Sequence, residues 1–419
     1  MKVKILQINA VYKKGSTGRT TEELHNILIK QGYLSYVACP IIDEAGKNFY
    51  RIGNVFDHKL HAVLSRILGY QGGYSYISTI KLLSWIDKIR PDIIHLRNLH
   101  SNYINLSLLL KYIAKKDIPV VITLHDCWFY TGGCFHYTSN KCFKWKKECG
   151  NCHYLRSASP SFFFDRSNRM LKDKEKLFMN IKYLAIVGVS DWITGEAEQS
   201  ILQRRNQEPM ITRIYNWIPQ EIFKPEKVDV LKDRLKIKDK FVVLGVAARW
   251  SEPKGLNIVM KVSERLKKDI VIVLVGDMPE GISLPQNIIS VGKIQDSTLL
   301  AQYYAMADVF LNLSREESFG KVSAESVSCG TPVIAYASTA NPEIVGEGCG
   351  IIIKTFPGVE EILGALECIK DKGKKFYFDK CVEFAQKNFN IRDNIRMYLK
   401  VYRTLLKEKE NAEKSNDLY

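Results

Sequence analysis

The chain has 419 residues, 46% of them hydrophobic and 25% charged, with a net charge of +16; that is enough apolar chain for two globular domains and excludes a disordered or low-complexity protein. No apolar run reaches the roughly 18 residues that cross a bilayer, and the opening "MKVKILQINAVYKKG" is broken by Gln and Asn too early for a signal peptide, so the cytoplasm is the expected compartment. The charge is lopsided, with 30 Lys+Arg against 17 Asp+Glu in residues 1–210 and 31 against 28 in 211–419, a field that suits phospholipid headgroups, a diphosphate-linked molecule or nucleic acid, or serves solubility alone.

Along the chain, "VKILQIN", "LSYVACP", "DIIHL", "VVITLH" and "LAIVGVS" predict buried strands of a parallel sheet, with helical patterns at 21–31 and 104–115 between them. Near Pro209 the pattern restarts. "FVVLGVAA", "IVIVLVG", "IISVG", "VFLNLS", "PVIAY" and "GIIIK" predict strands, and "LNIVMKVSERLKK" and "SFGKVSAESVSCG" helices. The expected organisation is α/β: one doubly wound domain over 1–210 with a Cys-rich insertion at 127–152, a second over 211–390, and a C-terminal helix in 391–419 that packs back on the first domain and ends in a frayed polar tail after Leu406. Ligands of such folds gather at the C-terminal edges of the sheets, across a cleft between the two domains.

Residues able to do chemistry fall in those edge loops. "NAVYKKGSTGRTTEEL" predicts a strand, a flexible loop carrying Gly15, Ser16, Gly18 and Arg19, and a helix from about Thr20, suited to close approach of an anion. His125 ends the strand "VVITLH" and is either an active-site imidazole or a satisfied core histidine. Cys134, Cys142, Cys149 and Cys152 fall within nineteen residues. A structural zinc, free thiols and two disulfides all fit that spacing, zinc best in a reducing compartment, and Cys127 or His136 could replace a ligand. "HKLHAVLSRILGYQGGY" puts Leu60, Val63, Leu64, Ile67 and Leu68 at helical spacing with Lys59 and Arg66 beside them, a pattern of an ordinary domain helix or of one lying on an anionic membrane.

In the second half, "GVAARWSEPKGLN" places Arg249 and Lys254 in the loop after a strand, where two cations suit a diphosphate. "REESFG" follows the strand "DVFLNLS", and a helix at 321–329 is stopped by Gly330. Glu317 therefore lies at the sheet edge and Glu325 inside the helix. The N–H groups near Phe319 and Gly320 open that helix, a seat for phosphate or hydroxyl oxygens; by spacing alone, Glu325 could equally be a solvated helix residue.

Together "ESFGKVSAE" (317–325), the Arg249/Lys254/Gly255 loop, "LVGDMP", "SVGKI", "ADVFLNLS" and "NPEIVG" resemble glycosyltransferase family 4, retaining nucleotide-sugar enzymes of the GT-B fold. "GSTGR", "PDIIHLRNLHSNYIN", "VVITLHDCWFYTGGC" and "ECGNC" resemble its bacterial exopolysaccharide members of the colanic-acid type, except that Arg97 stands where that group usually has a histidine. The resemblance implies that Glu317, with Ser318, Phe319 and Gly320, binds hydroxyls of the donor sugar, that Glu325 holds the ribose, and that Arg249 and Lys254 neutralise the diphosphate. It further implies that Gly15, Ser16, Gly18 and Arg19 close over phosphates or acceptor, that Lys293 and Ile294 read the base, and that His125 lies near the sugar. A UDP- or GDP-sugar donor, a saccharide or lipid-linked acceptor, peripheral contact with the inner face of the membrane, no catalytic metal and no nucleic acid follow from it. A nucleotide-sugar epimerase of the same fold is the alternative, and a basic nucleic-acid binder ranks below it.

Overall fold

The computed structural model describes residues 2–44, 46–157, 160–204, 208–226 and 228–416. The chain forms two compact units, residues 1–214 with 395–419 and residues 215–394. Unit 1 is built on a parallel seven-stranded sheet ordered β3-β2-β1-β4-β5-β6-β7, with β1 Lys4–Ile8, β2 Leu34–Cys39, β3 Phe49–Arg51, β4 Ile93–Leu96, β5 Val120–Leu124, β6 Leu184–Gly188 and β7 Met210–Arg213. β4, β5 and β6 are buried along their whole length, because helices cover both faces of a parallel sheet and leave no position for a polar alternation. β3 and β7 were not predicted. They are the edge strands, three and four residues long and largely half-exposed, so neither carries a continuous apolar run.

The Gly-Ser-Thr-Gly stretch is not a loop. Helix α1 spans Gly15–Lys30, so Gly15, Ser16, Gly18 and Arg19 lie in its first turns rather than ahead of it. The turn before it makes this possible: Lys13 adopts a φ of 63°, and its N–H donates to the Gly18 carbonyl at 3.1 Å. A Cβ on Gly18 would lie 3.2 Å from Lys13 N and from Val11 Cγ2, so the glycine serves close packing of helix on turn rather than flexibility. Helix α2 (Val55–Leu68) and helix α3 (Tyr76–Ile89) follow β3. The C-terminal helix, Ile391–Asn416, runs on through the stretch expected to fray. Its Tyr402 hydroxyl bonds His95 Nδ1 at 2.7 Å and its Tyr398 hydroxyl bonds Thr123 Oγ1 at 3.0 Å, which fastens it to β4 and β5.

Unit 2 has a six-stranded parallel sheet ordered β10-β9-β8-β11-β12-β13, with β8 Phe241–Arg249, β9 Ile270–Asp277, β10 Ile288–Gly292, β11 Val309–Asn312, β12 Val333–Tyr336 and β13 Gly350–Ile353. Gly276 has a φ of 127°, and a Cβ there would fall 1.8 Å from the Ala247 carbonyl oxygen, so β8 and β9 meet this closely only across a glycine. The helix after β11 spans Lys321–Ser328 and is followed by Gly330 at a φ of 74°, as its sequence predicts.

Candidate active site

All strand pairs of unit 2 are parallel, so the loops after β8, β10, β11 and β12 share one edge of the sheet. Arg249 is the last residue of β8 and is exposed. Lys254 then closes a single 3-10 turn that ends at Gly255, whose φ is 82°. A side chain at Gly255 would clash with Leu313 at 2.5 Å, so glycine lets this loop lie against the end of β11. The approach brings Lys254 Nζ to Glu317 Oε1 at 2.8 Å and to Ser314 Oγ at 3.2 Å.

Glu317 is held from behind. Its N–H donates to Thr339 Oγ1 at 2.9 Å and its carbonyl accepts the Ala340 N–H at 3.2 Å. Asn341 Nδ2 donates to the Ser314 carbonyl at 3.2 Å, while its Oδ1 is buried beside Gly320 with no hydrogen-bond partner among the described residues. A buried acceptor left open costs about 1–3 kcal/mol, which a ligand hydroxyl or ammonium would relieve. Ser318, Phe319 and Gly320 lead into the Lys321–Ser328 helix, with Phe319 buried edge-on against Phe389 at 5.6 Å, so the backbone donors of the first turn are rigidly placed. One oxygen of Glu317, Oε1, is paired with the Lys254 ammonium.

Glu325 is not on a solvated face. It is 5% exposed, and the Tyr304 hydroxyl donates to its Oε2 at 3.1 Å. Burial and then the Glu325 charge hold the Tyr304 phenol well above its ordinary pKa, so it stays a donor. Lys293, exposed, and Ile294, half-buried, lie in the segment between β10 and the helix Ser297–Met306. Four polar residues of this edge had been given no role from sequence: Ser314, Thr339, Asn341 and Tyr304. Asn341 opens "NPEIVG" and Ser314 closes "ADVFLNLS", so both lie in visible motifs, but Ser314, Thr339 and Tyr304 meet their partners across 21 to 60 residues, where no spacing rule reaches.

In unit 1, α1 follows β1, Arg97 follows β4 and His125 follows β5, three adjacent strands. Arg97 is fully buried, its Nη1 donating to Thr21 Oγ1 of α1 at 2.7 Å. Burial draws its pKa down, opposed by the Tyr398 and Tyr402 hydroxyls beside it. His125 Nε2 is shut off from solvent with no partner among the described residues. Burial first, and the Arg97 charge second, push His125 down to about 3 against the pull of Asp126, so the imidazole is neutral near pH 7. It offers hydrogen bonds rather than a proton. For Asp126, burial acts upward, but the His100 ring at 2.9 Å and the Trp128 N–H at 2.9 Å outweigh it and keep the carboxyl low.

Cys134, Cys142, Cys149 and Cys152 line one cavity of about 20 Å³, room for a single water-sized occupant. The Cys134 thiol beside it draws Cys152 below its ordinary value, while burial lifts Cys149 to about 11. All ten cysteines are free thiols, and among the described residues no group of three or more His, Cys, Asp or Glu side chains is already arranged as a metal-ligand set. The fold gathers the four sulfurs at one cavity without pointing them at one centre.

Residues 17–162 match the model of Glycosyltransferase Family 4, and residues 228–388 match that of Glycosyl transferases group 1. The chain belongs to glycosyltransferase family 4. An uncharacterised 41.2 kDa protein of the cps region of Klebsiella pneumoniae is 26% identical over 75% of the glycosyltransferase and 79% of its own length. A candidate colanic acid biosynthesis glycosyl transferase, WcaC of Escherichia coli K12, is 22% identical over 75% of the chain and 77% of its own. Among solved structures, Anabaena Alr3699/HepE, in complex with UDP and glucose, superposes with a TM-score of 0.65 at 16% identity, covering 96% of this chain and all of that one, so the fold is GT-B. The enzyme transfers sugar from a nucleotide-sugar donor, and the comparisons give the epimerase alternative no support.

Proposed function

We propose that this glycosyltransferase moves a hexose from a UDP- or GDP-sugar, with retention of anomeric configuration, to a saccharide or lipid-linked saccharide in surface-polysaccharide synthesis at the inner face of the membrane. The observation that carries this is the Lys254–Glu317 pair at the β8 and β11 loop ends, beside the helix start at Gly320. Lys254 and Arg249 take the charge that develops on the departing diphosphate, as fixed cations can do without a metal. Glu317 and the 318–320 backbone hold the sugar hydroxyls, Glu325, fixed by Tyr304, holds the ribose, and Lys293 and Ile294 border the base. In unit 1, the first turns of α1, Gly15 to Arg19, bind phosphate or acceptor, and neutral His125 hydrogen-bonds the sugar. The acceptor hydroxyl attacks the anomeric carbon from the face the diphosphate leaves, and a departing phosphate oxygen takes its proton. Relatives assigned to a cps region and to colanic acid synthesis support the pathway class, and the UDP complex of a structural neighbour supports a uridine donor.

The test is a screen of UDP- and GDP-sugars for binding, followed by transfer to saccharide acceptors with the product anomer assigned by NMR. An inverted product, or release of an altered nucleotide sugar without an acceptor, would overturn the mechanism. The cysteine cavity is proposed to hold a structural zinc once its four sulfurs turn inward, the metal then supplying local folding energy to a segment otherwise tied by turns. Protein purified without added zinc should carry one zinc per chain; four freely titrating thiols would reject the site.

A further inference from the structure

Helix α2 is built inside out. Its buried residues are His61 and Ser65, with His61 Nδ1 bonded to Ser75 Oγ at 2.9 Å. Its outer stripe is apolar: Phe56 is 87% exposed, Leu60 59%, Val63 48% and Ile67 40%, spaced as successive turns of one face. A surface helix of a globular domain normally turns such a stripe inward. The same sequence pattern that fits an ordinary domain helix here faces outward.

Two neighbours extend the face. Ser75, the partner of His61, is the N-cap of α3, which exposes Ile77 by 70% and Ile80 by 53%. At the other end of α2 the Phe162 N–H donates to the Arg66 carbonyl at 2.8 Å, and the segment it begins exposes Phe162, Phe163 and Phe164 by 60%, 71% and 48%. An apolar surface this continuous is uncommon on a protein that meets only water. Its charges have one sign. Lys59, Arg66 and Lys81 are exposed around it, and the Arg166 guanidinium lies over the Phe164 ring at 5.6 Å. Asp57 is the one acid between residues 52 and 86 and is half-buried, while the Asp165 carboxylate is engaged by the Cys152 and Ser167 N–H groups.

We propose that α2, the start of α3 and Phe162–Phe164 form a monotopic docking face that sinks into the headgroup–acyl boundary of an anionic bilayer. The apolar stripe would enter to a depth of about 5–10 Å, with the lysines and arginines reaching back to lipid phosphates. No helix among the described residues is long and apolar enough to cross a membrane, so the contact is one of lying on the surface. The single sign of the rim favours lipid over a second copy of the chain: a twofold pairing through this face would set the same cations against each other, whereas an anionic surface neutralises them. The face lies wholly in unit 1 and does not depend on the donor chemistry proposed above.

Sedimentation of the full chain with phosphatidylcholine vesicles, with and without phosphatidylglycerol, tests this. The wild type should bind the anionic vesicles and only weakly the neutral ones, and added salt should reduce binding without abolishing it. The double variant Phe56→Ser/Leu60→Ser should lose about tenfold or more in vesicle affinity, since it removes two deeply inserted side chains. Phe163→Ser should weaken it less. Lys59→Glu/Lys81→Glu should remove the preference for anionic lipid. Circular dichroism and nucleotide binding should match the wild type in all three, because none of these residues packs in a core or belongs to the donor site. Absence of binding to anionic vesicles, equal binding by folded Phe56→Ser/Leu60→Ser, or a dimer that this variant converts to monomer without any vesicle binding would each overturn the proposal. Failure of nucleotide-sugar transfer with vesicle binding intact would reject the donor reading and leave this face standing.

Discussion

The two units share a wound parallel sheet but differ in where they keep their polar groups. Unit 1 holds all eight histidines, a fully buried arginine and the outward apolar face; unit 2 holds no histidine, and its exposed large apolar side chains, Val230, Ile282, Phe356 and Phe376, are scattered along its sequence. In unit 2 the polar residues that matter sit in loops after strands, tied in short chains such as Lys254–Glu317–Thr339. In unit 1 they are sunk among helices, as in Tyr402–His95–Thr123 and Arg97–Thr21. The difference teaches that one sheet architecture can keep its functional groups poised at an edge or use polar groups as internal fasteners. Mutation separates the two uses: an edge residue should change rate with little change in stability, and an internal fastener the reverse.

The largest expected effect is at the edge of unit 2. Glu317→Gln should lower transfer by about 10²–10³-fold or more while nucleotide affinity and unfolding midpoint stay close to wild type, because the charge it removes pairs with Lys254 and, in the proposed role, binds the donor sugar. Near-normal turnover in the folded variant would remove Glu317 from the mechanism. Arg249→Ala and Lys254→Ala come next, each costing about 2–4 kcal/mol of transition-state stabilisation as read from kcat/KM. Brief EDTA treatment should leave that rate unchanged; a rate that tracks added magnesium would replace the cationic-loop account.

Acid should act on unit 1 first. Burial is the main cause lowering His25 and His61 to about 4 and His125 to about 3, with His95 also well below its usual value. The folded pKa lies below the unfolded one for each, so the unfolded chain binds more protons between those values and about 6.5. Stability is therefore full above about pH 6.5 and is lost progressively as pH falls toward 4. Limited proteolysis along a pH series should cut unit 1 before unit 2. Simultaneous opening of both units would show that the buried histidines do not set the acid limit.

A smaller change is expected from Tyr304→Phe, which removes the hydroxyl donor to Glu325 and should cost about 1–2 kcal/mol, divided between unfolding midpoint and nucleotide affinity. An effect on transfer rate alone would place Glu325 at the reacting centre rather than at the ribose.

How much of this was legible depended on the range of the interaction. The strands of both sheets could be read as apolar runs except β3 and β7, whose exposed edges need no such run. The positions of Lys254 and Glu317 in turns after strands were legible because strand ends and turn glycines mark those turns, whereas Arg249, expected in the loop, is the last residue of β8, which runs on one residue past its apolar run. Helix α1 was misjudged by five residues, since glycines that serve close packing look in sequence like glycines that serve flexibility.

The sequence by itself determined the α/β class, the family and the strand ends and turns at which Arg249, Lys254 and Glu317 lie, because those depend on local periodicity and on motifs confined to single loops. Only the tertiary structure decided that Lys254 meets Glu317 across 63 residues, that Glu325 is buried against Tyr304, that Arg97 lies wholly inside, and which way the α2 stripe faces. Burial and partner choice are set by what packs against a residue. An amphipathic pattern fixes that a helix has two faces, and only its neighbours, here Ser75 drawing His61 inward, decide which of them meets the solvent.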